Sequence, residues 1–125
     1  MEIISTPDMP KSNGHYSQCI RHNGILYLSG QLPINTEDGK IPETIEEQTD
    51  LVLKNIEKIL ISAGSSRDKV IQARIYIPDI QLWDQVNERY SLFFGTHKPV
   101  RCIIPTRQLH FGSLIEVEVT AISND

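Results

Sequence analysis

Apolar residues in this chain change their period several times, and each change marks an element. "YSQCIRHNGILYLSG", residues 16–30, holds two short strand-like runs joined at Asn23-Gly24, a strong two-residue hairpin turn. The second run, Ile25 to Leu28, is almost continuously apolar and predicts a well-covered strand. A loop follows in "PINTEDGKIPE", with Gly39 and two prolines. Thr44-Ile45-Glu46-Glu47 then reads as a capping box, with Thr44 as N-cap and Glu47 reaching back. Val52, Ile56, Ile59, Leu60 and Ala63 recur at three and four, the spacing of one helical face, and Gly64 stands where a left-handed cap ends the helix.

"KVIQARIYIPD" returns to period two and predicts a strand, Val70, Gln72, Arg74 and Tyr76 alternating with Ile71, Ala73, Ile75 and Ile77. Asp79 caps a second helix whose Ile80, Trp83, Val86, Tyr90, Phe93 and Phe94 fall near one face and read as core; Gly95 stops it. Two more strands are expected at roughly 100–107 and 114–122, a prediction from alternation alone. The first dozen residues, with Pro7 and Pro10, run into Asn13 and Gly14 and read as an irregular lead-in. The order β-β-α-β-α-β-β implies an α+β fold, a sheet covered on one face by two helices, in one domain over 1–125.

In the last strand Ile115, Val117, Val119 and Ala121 face one way, Leu114, Glu116, Glu118 and Thr120 the other. Glu116 and Glu118 thus project from one face, about 7 Å apart. That face mixes charge with Leu114 and with Tyr76 of the neighbouring run, a composition that suits subunit contact.

Composition narrows the classes. The chain is 39% hydrophobic and 22% charged with a net charge of −4, so it has no general basic footprint for nucleic acid. No apolar run approaches the roughly 20 residues of a membrane span. The first fifteen residues lack the layout of a signal peptide. Cys19 and Cys102, without a CxxC, read as two reduced thiols, and the cytoplasm is the expected compartment.

His15, His22, His97 and His110 are scattered, none at a metal-ligand spacing, and no phosphate-binding glycine motif or GxSxG occurs. Five polar residues at strand ends and on one strand face remain: Tyr16, Ser29, Arg101, Glu116 and Glu118. Each also has a plain structural reading. Tyr16 fits an ordinary aromatic position, and Ser29 can end a strand through local backbone bonds. The glutamate face can be solvated. Arg101, in "HKPVRCIIP", needs water or an anionic partner, and one of those glutamates could serve as an ion pair.

"YSQCIRHNGILYLSGQLPIN", "IEEQTDLVLKNIEKILISAGSS", "VNERYSLFFGTHKPVR" and "LIEVEVTAI", in this order, resemble the YjgF/Rid family of reactive intermediate (enamine/imine) deaminases. Older names for the family are endoribonuclease L-PSP and translation inhibitor. The resemblance runs from about Tyr16 to Ile122 and implies one YjgF/Rid domain with a chorismate-mutase-like sheet of five to six strands, assembled as a homotrimer. It implies sites in the clefts between subunits, acting on a small 2-imino or 2-keto carboxylate without a cofactor or metal. By the same resemblance Arg101, after "KPV", binds the substrate carboxylate, and Glu116 positions or activates the attacking water. Tyr16 and Ser29 line the pocket, with Asn87, Cys102 and Ile103 also at substrate-binding positions.

The chain departs from the family pattern at several of these places. His15 stands where a proline usually precedes the tyrosine, and Cys102-Ile103 replaces Ser followed by Cys or Thr. Leu109-His110 replaces the usual Leu-Pro, and Phe111 precedes Gly112. These changes touch the rim and wall of the implied pocket. Two other functions are therefore weighed: a regulatory protein that binds a small carboxylate without turnover, and the ribonuclease of the older family name. The acidic balance and the lack of a paired-histidine setting speak against the second.

Overall fold

The structure, a computed structural model, describes residues 1–10 and 14–123; Asn13 of the expected lead-in lies outside them. Six strands form one sheet in the order β1-β2-β3-β6-β4-β5, with β1 at Glu2–Ile4, β2 at Cys19–His22, β3 at Ile25–Leu28, β4 at Val70–Ile77, β5 at Val100–Pro105 and β6 at Glu116–Ile122. Helices α1, Ile45–Ser62, and α2, Trp83–Phe94, cover one face. All pairings are antiparallel except β4 with β5.

The hairpin forms as its sequence predicts. Asn23 and Gly24 both take positive φ, 52° and 75°, as a tight turn between twisted strands requires. β1 was not anticipated. Its three residues read as lead-in, yet Ile3 and Ile4 pair with Ile20 and Cys19 and extend the sheet by a strand too short to show a period.

At the start of α1 the Thr44 hydroxyl accepts from the Glu47 backbone N–H at 3.1 Å. The Thr44 hydroxyl in turn donates to the Glu47 carboxylate at 2.9 Å, so the box closes side chain to side chain rather than onto the Thr44 backbone. The helix ends in a Schellman turn. Gly64 N–H donates to Ile61 O at 3.0 Å and Ser65 N–H to Leu60 O at 2.8 Å, with Gly64 at φ 78°.

Two expectations fail for local reasons. The ladder shifts register between Val70 and Gln72, so Val70 turns into the core with Ala73 while Ile71 is pushed to the surface. An irregularity of one residue reverses the alternation on its far side. Asp79 does cap, but the element it caps is a 3₁₀ turn at Ile80–Leu82, through a 2.9 Å bond from Gln81 N–H. That turn rotates the entry to α2. Val86, Tyr90 and Phe94 are buried, while Ile80 and Trp83, expected in the core, are exposed.

Ile115, Val117, Val119 and Ala121 of β6 and Ala73, Ile75 and Ile77 of β4 are buried under Val52, Ile56, Ile59 and Leu60 of α1. Burying a side chain of this size contributes roughly 1.5–3 kcal/mol, so this layer fixes the sheet. The opposite face carries Tyr27, Gln72, Arg74, Tyr76, Glu116, Glu118 and Thr120 and is bare of helices among the described residues. No helix among the described residues is long and apolar enough to cross a membrane.

Candidate functional site

Arg101 lies on β5, the edge strand, opposite the buried Ala73 of β4, and so points to the helix-covered face. There its Nη1 donates to Asn87 Oδ1 of α2 at 2.9 Å. Its guanidinium carbon lies 4.8 Å from the centre of the Tyr90 ring and 5.6 Å from that of Trp83. Among the described residues no carboxylate reaches ion-pair distance, so the glutamate partner considered for Arg101 is not present in the protomer. A half-buried cation held by a neutral amide and aromatic faces keeps most of its charge for an incoming anion. Arg101, Asn87, Tyr90, Ser91 and Lys98 line a cavity of ≈ 520 Å³.

Trp83, Asn87 and Tyr90 stand at i, i+4 and i+7 on α2, one helical face, which is why all three meet one side chain. In the sequence Trp83 and Tyr90 read as core and Asn87 as a substrate-binding position; Tyr90 is buried, whereas Trp83 is exposed. Tyr90 Oη is buried and without a hydrogen-bond partner among the described residues, and burial pushes its pKa up to about 12, with the Arg101 charge opposing.

Glu116 lies on the bare face, half-buried, level with Tyr76 of β4 and hence with Ile104 of β5. Its carboxylate rests on the backbone of Gly30: a Cβ at that glycine would sit 2.2 Å from Oε2. Burial first, then the charge of Glu118, raise the Glu116 pKa above its ordinary value, and His110 opposes. Glu118 itself accepts the hydroxyl of Tyr76, a bond that pushes the phenol up to about 12. Beside Glu116, Tyr16, Gly30, Gln31, Asn55, His110 and Phe111 line a second cavity, of ≈ 370 Å³.

The seven residues expected at the site therefore divide. Arg101 and Asn87 are in contact, with Ile103 on the same side of β5, opposite the buried Ile75. Tyr16 lines the second cavity, and Glu116 adjoins it through Gly30 and His110 without lining it. Cys102 is exposed on the bare face beside Arg74, away from Arg101. Ser29 has its hydroxyl proton committed to Ser17 O at 2.6 Å and lines neither cavity. Arg101 and Glu116 stand two strands apart, three residues out of step and on opposite faces, roughly 14 Å between their backbones. Within one protomer they do not meet. Of the remaining departures, His15 is exposed, whereas His110 lies beside Glu116. Both thiols are free; burial pushes Cys19 up to about 11, leaving it a poor nucleophile. No cluster of metal-binding side chains occurs among the described residues.

The family model for Endoribonuclease L-PSP matches residues 6–123. A solved Rid-family protein of unknown function, YyfA of Yersinia pestis, is 44% identical, with 97% of this chain and 98% of that one covered at a TM-score of 0.92. Reactive Intermediate Deaminase A, chloroplastic, of Arabidopsis thaliana is 36% identical over 96% of this chain and 65% of its own length. E. coli TdcF, solved with bound serine, is 29% identical with a TM-score of 0.93, covering 99% of this chain and 100% of that one. The sheet, the two helices and these likenesses lead to one assignment: the chain belongs to the endoribonuclease L-PSP family, also called the YjgF/Rid family.

Proposed function

We propose that this protein hydrolyses small 2-imino acids to 2-keto acids and ammonia, in a cleft completed by a second copy of the chain. The observation that carries the reading is the half-buried Arg101 cation, which borders a cavity and has only neutral partners among the described residues. A planar guanidinium matches a carboxylate in two parallel hydrogen bonds. The deaminase name of the Arabidopsis relative and the serine bound to TdcF, an amino acid with a carboxylate, agree with such a ligand.

The chemistry divides between the two groups. Arg101 anchors the carboxylate and aligns the imine carbon. Glu116, whose burial raises its pKa above the ordinary carboxylate value, takes a proton from water as the oxygen attacks that carbon. Glu116 returns that proton to nitrogen. As the tetrahedral carbinolamine collapses, its hydroxyl proton follows to nitrogen, the C–N bond breaks and the carbonyl forms, so both hydrogens of the water leave in ammonia. No electrons leave or enter, so no redox cofactor is required. Because Arg101 and Glu116 face apart in one protomer, the cleft takes Arg101 from one copy and Glu116 from its neighbour, in a homotrimer packed through the bare sheet face.

The test couples an L-amino-acid oxidase or a serine/threonine dehydratase to the protein and follows keto-acid release. Wild type accelerates it and Arg101→Ala does not, while the assembly state stays the same. No acceleration with any small imine defeats the reading. One feature favours a second: Ile103, beside Arg101 on the same side of β5, offers no polar group. On that basis the cleft binds a 2-keto acid without turnover, which calorimetric binding combined with null hydrolysis would support.

A further inference from the structure

The cavity beside Glu116 has walls that water activation does not use. Phe111 takes φ 60°, ψ 23°, in the left-handed region that bulky residues avoid. Strain of that kind persists where the surroundings hold it and collects at functional positions. Its result is a platform: the His110 and Phe111 rings stack at 3.8 Å between centroids and 15° between planes. Phe111 is 62% exposed, so the chain's own core does not explain the conformation.

Asn55 of α1 borders the same cavity. Its Nδ2 donates to Ile34 O at 2.9 Å, which fixes the orientation of the amide. The remaining oxygen, Oδ1, is buried in a residue only 2% exposed and has no partner among the described residues. A buried acceptor in that state favours any occupant that brings a donor. The volume, ≈ 370 Å³, also exceeds what a methyl group would fill, since about 150 Å³ is enough for a benzene ring.

We propose that this cavity is the side-chain pocket of the substrate and selects 2-imino acids whose side chain is an aromatic ring ending in an O–H or N–H donor. The ring lies against the His110–Phe111 stack, and the donor pairs with Asn55 Oδ1, which is closed to solvent in the free chain and is uncovered as the ring enters. The proposal rests on the deaminase reading for the position of the reacting carbon near Glu116. Its recognition chemistry belongs to the pocket alone.

The experiment measures kcat/KM for the imines of alanine, phenylalanine and tyrosine, made in place by an L-amino-acid oxidase. Wild type is expected to favour the tyrosine imine over the alanine imine by about tenfold or more, with the phenylalanine imine between them. Phe111→Ala is expected to cut the tyrosine-to-alanine ratio by about tenfold. A ratio at or below one in wild type, or a ratio that Phe111→Ala leaves unchanged, overturns the pocket while leaving the deaminase reading standing. If no imine is hydrolysed the deaminase reading falls, and calorimetry with pyruvate and 4-hydroxyphenylpyruvate then decides the pocket. Tighter binding of the aromatic acid, weakened in Phe111→Ala, supports it; equal affinity overturns it.

Discussion

Arg101 donates to Asn87 across 2.9 Å, and this bond ties the cation of the edge strand to helix α2. The amide is neutral, so it orients the guanidinium without consuming its charge. Asn87→Ala is expected to weaken 2-oxobutanoate binding about fivefold to tenfold, the effect of losing one hydrogen bond to a charged group. Arg101→Lys is expected to weaken it further, because an ammonium cannot reproduce the planar two-bond fit. Calorimetry reads both. Unchanged affinity in Arg101→Lys removes the carboxylate from this side chain.

Gly30 is required by contact rather than by backbone angle. A Cβ there would lie 2.2 Å from Glu116 Oε2, so Gly30→Ala must displace the carboxylate. The expected result is a fall in kcat of about a hundredfold with the fold retained, the scale of a displaced catalytic group. A variant with normal turnover and normal circular dichroism contradicts the role given to Glu116.

Glu116 also makes a prediction about stability and pH. Its folded pKa is raised by burial and by Glu118, so the folded state holds the proton more tightly than the unfolded chain. The ionised group therefore costs stability at pH values above the folded pKa. That cost shrinks as pH falls and vanishes below the ordinary carboxylate value of 4.5. Glu116→Gln should raise the thermal midpoint at about pH 7 and change it little at about pH 3, a difference that calorimetric scans at the two pH values measure.

The turn after α1 gives a test of the scaffold alone. Gly64 has open space around its Cα but sits at φ 78° in the Schellman turn. Gly64→Ala should cost about 1 kcal/mol in urea unfolding, the strain of a left-handed L-residue, with substrate binding intact.

Much of this architecture was legible in the sequence because the signals are local. Asn23-Gly24, Thr44 with Glu47, and Gly64 each act within a few residues, and the alternation of β6 from Ile115 on needed only its own pattern, whereas Leu114, expected on the polar face, packs against the core. The errors came where a neighbour decides. The register shift after Val70 is a property of the ladder with β6, and β1 exists only because β2 offers an edge. The site was less legible for the same reason. Which face Arg101 takes depends on its pairing with Ala73, and the closeness of Gly30 to Glu116 depends on the bridge between Gln31 and Val117. His110 stood out as a departure from the family pattern, but its position beside Glu116 emerges only in three dimensions.

The claim that one cleft draws Arg101 and Glu116 from different copies is tested most directly by subunit mixing. Arg101→Ala and Glu116→Ala are each inactive as pure proteins on this account. After denaturation and joint refolding in equal amounts, random assembly of closed rings pairs an intact Arg101 with a neighbour's intact Glu116 in about a quarter of the clefts, so about a quarter of wild-type imine hydrolysis returns. A mixture that stays as inactive as its two parents, although the chains have exchanged, would contradict the shared cleft.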